Sequence, residues 1–66
     1  MKNTVRVERA IMDITQQELA LAVGVSRQTI NSIESGKYVP STVLALKISR
    51  YFGKPADSIF QLEDGD

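Results

Sequence analysis

Arg27, Gln28, Asn31 and Ser32 fall within one short stretch, and each carries hydrogen-bonding groups that suit the edges of nucleic-acid bases. A Gln or Asn amide presents a donor and an acceptor side by side, the pair that adenine N6 and N7 require, and a guanidinium presents the parallel donors that fit guanine O6 and N7. Catalytic chemistry is poorly supplied by contrast. The 66 residues include no histidine and no cysteine, which removes the commonest general base, the thiolate nucleophile, any disulfide and the usual soft metal ligands. No nucleophile–base pair, metal-ligand cluster or phosphate-cradling loop is visible, so the sequence predicts no enzyme, no cofactor and no metal site.

Two short helices joined by a glycine turn must hold these side chains. Thr15 is an N-cap candidate, and Glu18 three residues later completes a capping box. Leu19, Ala20 and Val23 give the first helix a narrow apolar stripe. Ala20 lies where two helices would cross closely, so a larger side chain there would push them apart. Gly24 supplies the positive φ that ends a helix and turns the chain. Val25 is expected to plug the core beneath the turn, and Ser26 caps the second helix. Ile30 and Ile33 face inward, leaving Arg27, Gln28, Asn31, Ser32 and Ser35 on the other side, and Gly36 stops the helix. Such a pair is the means by which a small protein places a helix in the DNA major groove.

The remaining elements follow from similar signals. A preceding helix spans about Val5 to Met12, with Val5, Arg9 and Met12 on one face. Pro40 disfavours α geometry at Val39, so 38–40 is a loop. Ser41 caps a fourth helix with Leu44, Ala45, Ile48 and Phe52 as its core stripe, and Gly53 ends it. Pro55 suits the first turn of a short fifth helix that brings Ile59 and Phe60 onto the core.

This order of features resembles the lambda-repressor-like group (Cro/CI or XRE type) of helix-turn-helix regulators, especially its compact stand-alone members. The matching residues are Thr15-Gln16-Gln17-Glu18-Leu19-Ala20, Gly24-Val25-Ser26-Arg27-Gln28-Thr29-Ile30, Ile33-Glu34-Ser35-Gly36-Lys37, Pro40-Ser41 and Leu44-Ala45-Leu46-Lys47-Ile48. The resemblance runs from about Val5 to Phe60. It implies an all-α, five-helix DNA-binding domain over 1–66, with the helix-turn-helix at 16–35. Lys2–Thr4 and Phe60–Glu63 can pair as a small two-stranded sheet, as they do in some compact relatives. The implied function is sequence-specific transcriptional regulation, with a homodimer repressing from a palindromic operator in double-stranded DNA. The alternative is an antitoxin, or another protein-interaction partner whose DNA binding is secondary, although 61–66 is short for a toxin-wrapping extension.

Within that frame the residues take expected roles. Gln28 reads adenine, and Arg27 either reads guanine or clamps phosphate. Asn31 and Ser32 reach bases one turn further on. Phosphate contacts fall to Ser26 and Ser35 at the ends of the recognition helix, to Lys37 and Tyr38 beyond it, and to Gln16, which matches a phosphate-gripping position in relatives. Thr29 is expected to be partly buried and to brace the helix, and Lys47, Arg50 and Lys54 to form a solvated face. Arg9 and Glu34 match a pair that joins the first and third helices in relatives. Glu8 departs from the pattern, since relatives usually carry an apolar residue there. Either the first helix is rotated, with Val7 in the core slot, or Glu8 pairs with a neighbouring Arg or Lys.

Charge and size complete the expectations. All eight basic residues and four of the eight acids lie in 1–54, giving +4, while 55–66 carry −4, so a zero net charge conceals a basic body with an acidic tail. Whether that tail does more than solubilise the chain is open. A single domain of this length is near the lower size for a self-sufficient core, so oligomerisation would supplement it. The C-terminal quarter offers Pro55, Ala56, Ile59, Phe60 and Leu62 as a dimer surface, unless Ile59 and Phe60 only cap their own core. No apolar run has the length of a membrane span or signal-peptide core, so the chain is expected to be cytoplasmic. No effector domain is attached, which argues against a small-molecule ligand.

Overall fold

Helix ends in this chain are set by local chemistry, and the computed structural model, which describes residues 1–66, places them accordingly. In chain order the elements are β1 (Lys2–Asn3), α1 (Val5–Met12), α2 (Gln16–Val23), α3 (Arg27–Glu34), α4 (Thr42–Phe52), α5 (Ala56–Ile59) and β2 (Phe60–Gln61). The fold is thus five helices with one small antiparallel sheet, in which Lys2 pairs with Gln61 and Asn3 with Phe60. The Thr4 N–H extends this pairing by donating to the Ile59 carbonyl at 2.9 Å. No helix is long and apolar enough to cross a membrane.

The caps are those the sequence predicts. Thr15 and Glu18 form a complete capping box at α2, Ser26 accepts from the Thr29 N–H, and Ser41 accepts from the Leu44 N–H. Gly24 takes φ +78°, a left-handed conformation that a Cβ would strain, and ends α2 where the chain must turn into α3. At the far end of α3, Gly36 N–H donates to the Ile33 carbonyl and Lys37 N–H to the Ser32 carbonyl, the double closure of a Schellman motif.

One core unites the elements. Val5, Leu19, Ala20, Val23, Ile30, Ile33, Leu44, Ile48, Ile59 and Phe60 are buried together, with Ile14, Val25, Ala45 and Phe52 packed partly against them. α2 packs on both α3 and α4, so the turn between α2 and α3 is braced from behind. Ile30 and Ile33, fully covered, turn the apolar stripe of α3 inward and commit its other face to solvent.

Two expectations need correction, and the choice left open at Glu8 is decided. Met12 does not share the buried face of α1 with Val5, because Asp13 adopts a left-handed conformation, turns the chain, and lets Ile14 pack against the core instead. Pro55 stands before the fifth helix as its N-cap, not inside its first turn. Glu8 is buried while Val7 is exposed, so α1 is not rotated to put Val7 in the core slot. Glu8 instead accepts from Lys54 Nζ at 2.9 Å, a cation delivered by the closure after α4.

Candidate nucleic-acid interface

The outer face of α3 brings most of the singled-out residues together. Arg27, Gln28, Asn31 and Ser35 are exposed, whereas Ser32 and Thr29 are half-buried. Tyr38 comes back alongside the helix, and with Ser26, Gln28, Thr29 and Ser32 it lines a shallow depression. Thr29 Oγ1 and Ser26 Oγ lie 3.0 Å apart, so Thr29 braces the first turn. Arg27 and Lys37 make no ion pair within the chain and remain free cations at the two ends of α3.

Helix start points supply further donors. The N–H groups of Gln16 and Gln17 opening α2, and of Arg27 and Gln28 opening α3, have no partner in the chain. Orphan donors at the positive end of a helix dipole suit an anion such as phosphate.

Behind this face lies a polar anchor. Arg9 Nε donates to Glu34 Oε2 at 2.6 Å and Arg9 Nη2 to Glu34 Oε1 at 3.0 Å, a bidentate pair from α1 to the last residue of α3. Arg9 Nη1 also donates to the Ile14 carbonyl at 3.0 Å. The Glu34 side chain is fully covered, 0% exposed. Burial pushes its carboxyl pKa up, but hydrogen bonds from Arg9 and then Gln16 outweigh this and hold it below the ordinary carboxylate value. Arg9 is raised by its hydrogen bonds to Glu34. The anchor therefore stays ionised at neutral pH and fixes the roll of α3 against α1.

Gln16 occupies an unexpected place. Its Nε2 donates to Glu34 Oε1 at 3.1 Å and to Asn31 Oδ1 at 3.3 Å, so its amide donors are spent inside the chain. A phosphate at this position would meet the backbone N–H groups of α2 instead. Sequence reasoning also missed Arg6, whose exposed guanidinium stands 3.6 Å from Glu34 Oε1. The available signal was the carboxylate itself, whose two oxygens offer about four acceptor sites, more than a bidentate arginine fills.

The proposed dimer residues are dispersed. Ile59 is 0% exposed and Phe60 is also buried, because both complete the core where α5 meets β1. Ile59 offers no free surface and Phe60 shows only 7% of its own, where it lines a surface depression, which corrects the expectation that the two add much contact area. Pro55 and Leu62 are exposed and Ala56 is half-buried. Ala56 instead borders an apolar depression shared with Val39 and Leu46, both largely exposed.

Comparison with known proteins agrees with this geometry. The helix-turn-helix family model matches residues 5–59. An HTH-type transcriptional regulator of Methanocaldococcus jannaschii is 50% identical over 66 residues, covering 100% of both chains. The HTH-type transcriptional regulator YgzD of Bacillus subtilis is 47% identical over 64 residues, covering 97% of each chain. A third such regulator, from Archaeoglobus fulgidus, is 45% identical over 64 residues, covering 97% of this chain and 91% of its own. With a glycine-turned helix pair at its centre and a family match from the first helix to the last, this chain belongs to the XRE-type helix-turn-helix family of DNA-binding transcriptional regulators.

Proposed function

We propose that the chain is a sequence-specific repressor that binds a palindromic operator as a homodimer and acts by occupying promoter DNA, without chemistry of its own. The observation that carries this reading is the outer face of α3, where Arg27, Gln28 and Asn31 stand exposed on a helix locked by the Ser26 cap and the Arg9–Glu34 pair. Gln28 and Asn31 are assigned to base edges with Ser32 beside them, and Arg27 to guanine or phosphate. Lys37, Tyr38, Ser26 and Ser35, together with the N-terminus of α2 at Gln16, are assigned to the DNA backbone.

The dimer follows from a need for specificity. One α3 reads a few base pairs, too few against genomic competition, and two copies placed about one DNA turn apart double the site. The surface assigned to the second copy is the apolar strip of Val39, Leu46 and Ala56.

Selection of DNA from a random pool, followed by sedimentation equilibrium at micromolar concentration, tests both parts. A two-fold symmetric consensus and a concentration-dependent dimer are expected. A monomer that binds isolated half-sites as tightly as the full palindrome refutes the dimer. A tight protein partner co-purified from native cells, with no recovered operator fragment, supports the antitoxin reading instead.

A further inference from the structure

Resting on the reading of α3 as the base-reading helix, we infer that Gln16 is a positioning residue that fixes the polarity of the Asn31 amide. Asn31 then presents donors to the major groove and recognises the paired acceptors of guanine, not the donor–acceptor edge of adenine.

The argument starts at the covered carboxylate. An ionised Glu34 has no hydrogen to offer, so any amide in hydrogen-bond contact with it must present nitrogen. Gln16 lies at 3.1 Å from Glu34 Oε1, and that contact determines which end of its amide is Nε2. The same nitrogen has a second hydrogen, directed at Asn31 at 3.3 Å, and only an oxygen can accept it. Asn31 Oδ1 is thereby drawn towards α2.

Its Nδ2 occupies the opposite branch of the amide, and neither of its hydrogens has a partner in the chain. Polarity set by Arg9 and Glu34 thus passes through Gln16 to an exposed side chain of the recognition helix. Reading adenine needs the Asn oxygen at N6 and the nitrogen at N7 together, and here the oxygen is held back. Guanine is the base whose major-groove edge offers two acceptors, N7 and O6, to a donor-only group.

The test uses the full chain. DNA is selected from a random pool with the unaltered protein, with Asn31→Ala and with Gln16→Leu. The position whose preference collapses in Asn31→Ala belongs to Asn31. The unaltered protein should favour a G·C pair there over A·T by roughly tenfold, and Gln16→Leu, which frees the amide to rotate, should erase or reverse that ratio while other positions keep theirs. An A·T preference in the unaltered protein, the same ratio in Gln16→Leu, or no position lost in Asn31→Ala overturns the inference and leaves DNA binding intact. A pool that returns no consensus overturns the reading of α3 and this inference with it.

A second measurement needs neither variant nor DNA. In the free protein, the Gln16 side-chain amide hydrogens should exchange slowly with water by NMR and those of Asn31 quickly. The reverse order overturns the assigned polarity.

Discussion

Glu34→Ala removes the acceptor on which three elements converge. Arg9 loses the partners of Nε and Nη2, and Gln16 loses one of the two acceptors of its Nε2. Arg9 keeps the Ile14 carbonyl, but its side chain is only 17% exposed, so water replaces the lost oxygens incompletely. Breaking a buried pair from one side costs about 3–5 kcal/mol, and partial access of solvent to Arg9 lowers the expectation to about 2–3 kcal/mol. Arg6 adds little, because it is mostly exposed at 3.6 Å. A chain of 66 residues has a total stability of roughly 3–10 kcal/mol, so this loss is a large share. At about 4–8 °C per kcal/mol, Tm should fall by roughly 10–20 °C. Arg9→Ala should cost at least as much, since it strands a fully covered carboxylate. The assay is a double-mutant cycle in urea and thermal unfolding, with an interaction energy above about 1 kcal/mol expected. Single effects that add to within about 0.5 kcal/mol would refute the claim that the two side chains act as one anchor.

Two further outcomes are expected. Gln28→Ala should relax preference at one base position per half-site, costing about 1–3 kcal/mol there, whereas Lys37→Ala should weaken binding to all sequences alike and reduce the salt slope by about one. An unchanged selected motif in Gln28→Ala would remove its base-reading role. For pH, the Glu34 carboxyl is held low by Arg9 and Gln16 against the effect of burial. Its stabilising contribution is therefore complete above the ordinary Glu value of about 4.3 and is lost as pH falls through its depressed folded-state value. Urea midpoints of the unaltered chain should fall more steeply than those of Glu34→Gln between about pH 5 and about pH 3, and parallel curves would contradict the ionised anchor.

What could be read from residue order is what local chemistry decides. Thr15 with Glu18, Ser26, Ser41, Gly24 and Gly53 act within one turn of themselves, so their types disclose the ends of α2, α3 and α4. The stripes of Leu19, Ala20 and Val23 and of Leu44 and Ile48 follow helical periodicity and are buried as expected. Contacts across the fold were not legible in this way. The Glu8–Lys54 pair joins residues 46 apart, and only the turn after α4 brings them together. Asp13 closes α1 in the left-handed conformation that glycine usually takes, so no glycine marked the turn that exposes Met12. Around α3, the exposed face was readable from side-chain type, but the link from Gln16 to Asn31 was not. It depends on which way an amide is turned, and a buried charge beyond the helix decides that.

The pairing of β1 with β2 has a consequence for synthesis. A ribosome delivers Val5, Leu19, Ala20 and Ile30 first, at roughly 5–20 residues per second, long before Ile59 and Phe60 arrive to cover them. Until residue 61 has emerged, the first strand has no partner and the Thr4 N–H has no Ile59 carbonyl to meet. The helix-turn-helix can therefore be translated in full yet lack the packing that aims α3. Nascent chains halted before this pairing would expose their core to proteases and leave α3 without a fixed orientation, so the fold closes only once β2 is free of the ribosome.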